Sequence, residues 1–154
     1  MNPSRTSIGQ LAALAGQELG VSAWILVDQK RINEFAHCTD DHQWIHVDVE
    51  RATRESPFKA PIAHGYLTLS LLAPTSADVL IARIEARQFV NYGLEKVRFL
   101  APVRAGKRVR NRVKLVAVED KGSGRWLLTT ENQVEIEGED KPALIATALA
   151  MVMS

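Results

Sequence analysis

The stretch 64-HGYLTLSLLAPTSADVLIA-82 is apolar on nearly every side from Tyr66 to Ala73, and a helix without a polar face belongs in a protein interior. Gly65 opens it, and Pro74 is expected to break or kink it, since proline removes one helical hydrogen bond and crowds the preceding turn. Something must cover such a helix. Downstream, "GKRVRNRVKLVAVED", "GRWLLTTENQVEIEG" and "PALIATALAMVMS" are long segments separated by "KGSG" and "GEDK", both turn compositions. In the middle segment Trp126, Leu128, Thr130, Val134 and Ile136 alternate with Thr129, Glu131, Gln133, Glu135 and Glu137, the pattern of a half-buried strand. These segments predict an antiparallel meander wrapped against the central helix, an α+β arrangement.

Upstream, Ile8, Leu11, Ala12, Ala15 and Leu19 recur at helical spacing between Thr6 or Ser7 and Gly20, predicting a short amphipathic helix. "VSAWILVD" then reads as a strand. "QKRINEFAHC", with Asp28 as N-cap, reads as a second helix. "DVERATRES" suits one or two helical turns, and Pro57 and Pro61 hold the following residues away from helix.

A chain of 154 residues with a formal charge of +1 suits a single domain over 1–154, long enough to bury roughly 68 to 70% of its unfolded surface. The charge gives no overall pull toward nucleic acid or anionic membrane. One cysteine, Cys38, excludes an intrachain disulfide framework and agrees with a reducing compartment. The polar start "MNPSRTSIGQ" lacks a secretory core and there is no run of eighteen apolar residues, so the expectation is a cytoplasmic protein.

The chemistry concentrates in "CTDDHQWIHVD", residues 38–48, where three carboxylates, two histidines and an amide surround Trp44 and Ile45. Asp41 and His46 stand five apart in a segment expected to be irregular, so a loop can turn both toward one volume. A carboxylate beside an imidazole can hold a water, remove one proton and deliver another. The alternative is structural: Asp41 capping a turn and His46 satisfied in the core. At His64-Gly65 an irregular segment becomes the central helix, whose first turn has free N–H groups able to stabilise an oxyanion. Gly65 permits close approach to the backbone, though it also reads as a packing glycine.

"FAHCTDDHQWIHVD", "PIAHGYLTLSLL" and "NYGLEKVRFLAPVRAGKRV" together resemble the MaoC-like dehydratases, the (R)-specific enoyl-CoA hydratases, and within them the NodN-like branch. The resemblance runs from about Val21 to the C-terminus. "DHQWIH" matches the ends of the family signature Asp-x-Asn-Pro-x-His at Asp41 and His46; Gln43 and Trp44 replace its Asn and Pro, and Asp40 stands at its usual glycine. The resemblance implies a hot-dog fold, a long central helix from about Gly65 to Leu80 wrapped by a curved antiparallel β-sheet, usually in a homodimer. It implies that Asp41 and His46 activate a water that adds across a trans-2-enoyl thioester, giving a (3R)-hydroxyacyl product, with the Gly65 amide polarising the thioester carbonyl. Gln43 would orient the pair, and His64 and Tyr92 would contact substrate; Tyr92 reads equally as a subunit contact or core. No cofactor and no metal are expected, coenzyme A being part of the substrate. Fatty-acid metabolism is the implied setting.

Residues 83–114 hold Arg83, Arg87, Lys96, Arg98, Arg104, Lys107, Arg108, Arg110, Arg112 and Lys114 against Glu85 and Glu95. They are candidate partners for coenzyme A phosphates, and "KRVRNRVK" reads equally as a solvated strand face. Aromatics are not interleaved with the basic residues of "KRVRNRVK", so nucleic acid is not expected. Four rival readings remain: a metal shell drawn from His42, His46, Asp41, Asp48 and His64; a hot-dog acyl-CoA thioesterase, which would want a carboxylate on the central helix where Gly65 to Ala73 has none; a non-catalytic acyl-CoA-binding module; and Cys38 as nucleophile, against which it is expected to be a buried thiol.

Overall fold

Alternating burial along the C-terminal half produces the predicted meander. β4 (Lys107–Gly122), β5 (Arg125–Ile136) and β6 (Leu144–Met153) pair antiparallel in sequence, and β3 (Gln88–Phe99) joins the free edge of β6. The computed structural model describes residues 5–154. On the other side of β4 lie β1 (Glu18–Val21) and β2 (Ile25–Val27), both antiparallel to it, so the sheet is open and runs β1-β4-β5-β6-β3 with β2 beside β1. Register shifts between Asn91 and Gly93, and between Glu95 and Arg98, interrupt the β3–β6 ladder; such bulges bend and twist a strand.

The central helix forms in two pieces, α5 (Gly65–Ser70) and α6 (Leu72–Ile81), joined at Leu71. Pro74 sits in the first turn of α6, where its missing N–H costs least. The N–H it lacks is the one that would have bonded the Ser70 carbonyl, which places the break just upstream of the proline. Leu67, Leu71, Leu72, Val79 and Leu80 are buried against the sheet. Tyr66, Ser70, Ala73, Pro74 and Ile81 remain exposed. The expectation of burial on all sides is therefore met on one face only in a single chain. A long helix against a curved antiparallel sheet is the hot-dog arrangement.

Two expectations fail near the N-terminus. The first helix stops at Leu11, α1 being Ile8–Leu11 with one 3-10 turn, Ala12–Leu14; Gly16 then takes a left-handed conformation (φ 84°) and Leu19 is buried in β1. Ile8, Leu11 and Leu19 are buried as the spacing predicts and Ala12 and Ala15 are exposed, the glycine having ended the helix one turn early. Ser7 caps α1 reciprocally with Gln10, as a capping box. Likewise "VSAWILVD" is split between β1 and β2, because the Ser22 hydroxyl accepts the Asn111 N–H at 3.0 Å in place of a strand carbonyl.

α2 (Gln29–Thr39) begins as predicted: Asp28 Oδ1 accepts the Arg31 N–H at 2.9 Å. It buries Ile32 and Ala36. Cys38 is exposed, contrary to the expected buried thiol, because it lies two residues past Ala36 on the opposite face. α3 (Trp44–Val47) and α4 (Val49–Glu55) follow, and Asp48 caps α4 by accepting the Arg51 N–H at 2.9 Å.

Candidate active site

Three short elements converge on one corner. α2 ends because Asp40 adopts a left-handed conformation (φ 60°), reversing the chain so that Asp41 starts a new direction. Asp41 Oδ1 then faces the Gln43 backbone N–H at 3.4 Å, and the single turn of α3 carries His46 inward to 6% exposure. From the far side, residues 61–63 bring the start of α5 up against α3. Pro61 and Ala63 hydrogen-bond to Ala105 and Val103, and the Ile62 N–H donates to the Ile45 carbonyl at 3.1 Å.

Ile62 fixes the state of His46. His46 Nδ1–H donates to the Ile62 carbonyl at 2.7 Å, and a carbonyl only accepts, so the neutral ring carries its bare lone pair on Nε2. Burial holds the His46 pKa below the ordinary histidine value, with the neighbouring His64 adding to the effect against the Ile62 bond and Asp41, which oppose it. A neutral imidazole with a free Nε2 is a base ready for a proton.

His64 lies directly beneath. Its ring stacks on His46 with centroids 3.9 Å apart and meets Phe35 at a tilt with centroids 5.0 Å apart, and its Nε2–H donates to the Asp41 backbone carbonyl at 2.9 Å. The Asp41 carboxylate, His46 and His64 each offer an atom within 4.8 Å of the others. His64, 2% exposed, thus ties Asp41 to His46. With His64 Nε2 given to the Asp41 carbonyl and His46 Nδ1 to the Ile62 carbonyl, the groups left to meet a ligand here are His46 Nε2 and the Asp41 carboxylate. Asp48 is occupied as a helix cap, and His42 is exposed with its ring 6.5 Å from that of His37.

Gln43 is exposed, and its contact with the pair is through the backbone amide. Gln29 instead donates to the His46 carbonyl at 2.7 Å and to Asn33 at 2.8 Å, tying α2 to α3. Trp44 packs under the Arg51 guanidinium, 4.3 Å from the ring centre. Gly65 begins α5, and a Cβ there would stand 3.1 Å from the Phe99 ring, which covers it. Sequence reasoning missed Gln29, Phe35, Ile62 and Phe99: three act through backbone or ring contacts that no spacing announces, whereas the Gln29 side of α2 faces the quoted stretch and could have been examined.

Beyond Gly65, an apolar cavity of about 450 Å³ runs between α5–α6 and the sheet, lined by Tyr66, Leu69, Leu72, Leu80, Tyr92 and Leu149 among others. That is the size of a small-ligand site. Neither Asp41 nor His46 lines it; it begins at Tyr66, one residue past Gly65. A smaller hollow of about 250 Å³ lies at Gly65 itself, between Ile62, Thr68, Phe99 and Pro102.

The basic run forms a cross-strand ladder. Arg108 pairs with Glu137, Arg110 with Glu135 (2.6 Å), Arg112 with Glu18 and Glu135 (2.9 Å each) and Lys114 with Glu131 (3.2 Å). Desolvation pushes Glu135 up, but the Arg110 and Arg112 hydrogen bonds more than offset it and hold the carboxyl below its ordinary value. These residues therefore form a strand face already paired in charge.

The fold is that of a hot-dog protein, with Asp41 and His46 gathered beside His64, the residue that precedes its central helix. Residues 10–137 match the family described as MaoC like domain. The chain belongs to that family. It is 46% identical over 143 residues to "3-hydroxyacyl-thioester dehydratase Z" of Mycobacterium tuberculosis, covering 93% of each chain. It is 46% identical over 146 residues to "Nodulation protein N" of Rhizobium leguminosarum bv. viciae, covering 95% of this chain and 91% of that one. In three dimensions it resembles an (R)-hydratase from A. caviae involved in PHA biosynthesis, with a TM-score of 0.71 and 20% identity over 88% of this chain and 94% of that one.

Proposed function

We propose that the protein is an (R)-specific hydratase and dehydratase of acyl thioesters, a hydro-lyase acting on trans-2-enoyl and 3-hydroxyacyl substrates. The observation that carries this reading is the unoccupied Nε2 of a neutral His46 beside the Asp41 carboxylate. Similarity over almost the whole chain to a 3-hydroxyacyl-thioester dehydratase supports it. In hydration, Asp41 and His46 hold a water between them; His46 Nε2 takes its proton as the oxygen bonds to C3. The C2–C3 π pair shifts toward the thioester, and the charge gathering on the carbonyl oxygen is met by the Gly65 N–H. Return of the proton to C2 completes the addition of H and OH, and the reverse sequence dehydrates. Loss of an oxyanion donor of this kind costs roughly 2.7 to 4 kcal/mol in barrier.

The acyl chain is assigned to the cavity along α5–α6, and coenzyme A is the assigned carrier. A second copy of the chain is the assigned partner. Tyr66, Ile81, Val90, Tyr92 and Leu94 are exposed large apolar groups on the central helix and on β3, the strand at the end of the sheet order, and an apolar strand edge calls for pairing. No helix among the described residues is long and apolar enough to cross a membrane.

The deciding measurement is loss of the enoyl-thioester absorbance on adding trans-2-enoyl-CoA, with chiral analysis of the product. The expected product is the R alcohol. An S product or no turnover across short to long chains overturns the reading, and release of free thiol without hydration selects the thioesterase instead.

A further inference from the structure

The core of this protein is divided by a layer of polar side chains. On β4 the inward positions read Val109, Asn111, Val113; on β5 they read Leu128, Thr130, Asn132, Val134. Val109 and Val134 belong to one apolar cluster with Leu67, Leu71 and Leu72, whereas Val113 and Leu128 belong to a second with Val79 and Leu80. Asn111, Asn132 and Thr130 lie between them, all at least nine-tenths buried, and Ser76 of α6 meets them from the helix side.

The hydrogen bonds in this layer run in one direction. Asn111 Nδ2 donates to Ser76 Oγ at 3.2 Å and to Asn132 Oδ1 at 2.9 Å, and Ser76 Oγ donates to Asn132 Oδ1 at 3.1 Å. Asn132 Nδ2 then donates to Thr130 Oγ1 at 3.0 Å and to the Thr130 carbonyl at 3.2 Å. Thr130 Oγ1 is thus an acceptor within the network, and its own hydroxyl hydrogen has no acceptor among the described residues. Ser76 and Thr130 both line the long cavity, with apolar Leu72 and Leu149 also on its wall and apolar Leu80, Leu128 and Phe89 at the second cluster. An alkyl chain running the length of the cavity would cross this layer and press methylenes against an unspent buried donor, which costs free energy.

We propose that the cavity selects acyl thioesters bearing an oxygen, a carbonyl or hydroxyl, well down the chain, and that Thr130 is the specificity-determining residue that donates to it. The proposal rests on the hydratase reading, since that reading assigns the cavity to the acyl chain. Gly65 and Ser76 are separated by roughly 16 Å of helix axis, further than a medium-length acyl chain extends, so the oxygen belongs toward the far end of a long chain. A site built to hydrogen-bond an oxygen rejects the analogue lacking it far better than an apolar wall tells two alkyl chains apart.

The test is a matched pair of long-chain trans-2-enoyl-CoA substrates, one with a plain alkyl tail and one with a single carbonyl in its distal half. The ratio of their kcat/KM values is measured with wild type, Thr130→Val, Thr130→Ala and Thr130→Ser. Wild type should favour the oxygenated chain about tenfold, the Val and Ala variants should abolish the preference, and Ser should restore it. A ratio is taken within one preparation, so partial misfolding of a variant cancels, and the wild-type ratio decides even if no variant folds. Equal or reversed preference in wild type overturns the proposal while leaving the hydratase reading standing. Preference that survives in both Val and Ala assigns it elsewhere and also overturns the proposal. Absence of turnover with both chains overturns the proposal, and absence that extends to short enoyl-CoA chains removes the hydratase reading as well.

Discussion

Two clusters of ionisable side chains, the Asp41–His46–His64 corner and the β4–β5 ladder, differ in what remains unspent. Along the ladder Arg108, Arg110, Arg112 and Lys114 each have a carboxylate opposite, so charge is matched and nothing is left to act on a ligand. At the corner, a backbone carbonyl and a stacked ring fix His46 while leaving Nε2 bare. Chemical capacity follows from the unsatisfied atom, not from the density of charge. The ladder takes up four of the ten cations between residues 83 and 114, yet the small corner is where the reaction is proposed.

The largest effect separates these clusters by substitution. Asp41→Asn and His46→Gln should each lower kcat by about 10²–10⁴-fold, with the Asp41 variant melting near wild type because Asp41 is exposed. On the ladder, Glu135→Gln should leave turnover unchanged and cost about 1 kcal/mol or less in denaturant unfolding, as partly exposed pairs do. If the ladder variant lost turnover and the corner variants kept it, the contrast would be reversed.

Next in size is Gly65→Ala. Its Cβ meets the Phe99 ring at 3.1–3.3 Å, and that ring is half exposed and able to shift, so the Tm should change little. The methyl group would nevertheless stand where the thioester must approach the N–H, and displacement on the ångström scale costs on the order of 10²-fold in kcat/KM. A variant with full activity would move the oxyanion site away from Gly65.

Acidification probes the corner differently. His46 has a folded-state pKa below 6.5, so kcat/KM should hold as pH falls to that value and decline about tenfold per unit only beneath the lowered pKa. For stability the sign is the same: the unfolded chain binds a proton near pH 6.5 that the folded one refuses. The stability contributed by neutral His46 is therefore complete above 6.5 and is lost as pH falls from there toward the folded pKa. His64→Gln removes one cause of the depression, so the acid limb should move upward; an unmoved limb would show that His64 only packs.

Much of this was legible before any coordinates. Asp28 as a cap, the meander from β4 to β6 and Pro74 as the break in the central helix follow from local rules of capping, alternation and spacing, whereas the Asp41–His46 pair is singled out by the family signature. What was not legible depends on distant segments meeting. Nothing in the spacing of His46 and His64 says that their rings stack, because that requires Ile62 to dock on Ile45. The polar layer left a readable trace, since Asn111 and Asn132 stand at inward positions of otherwise apolar alternations, an interruption easily passed over when only the apolar residues are counted. The first helix stopped short for a local reason, Gly16, whose left-handed conformation outweighed one further turn of apolar spacing.

The smallest expected effect concerns Asp40, the carboxylate adjacent to the pair and standing where the family usually has glycine. Its left-handed backbone (φ 60°) ends α2, a position that favours glycine, so Asp40→Gly should raise stability by about 0.5–1 kcal/mol. Its side chain makes no hydrogen bond or ion pair among the described residues, so kcat and its pH profile should stay as they are. If instead the substitution moved the acid limb or changed kcat while stability rose, the Asp40 carboxylate would be acting on the water held by Asp41 and His46. The corner would then be a cluster of four carboxylate and imidazole groups tuned by charge, closer in kind to the ladder than the present geometry makes it.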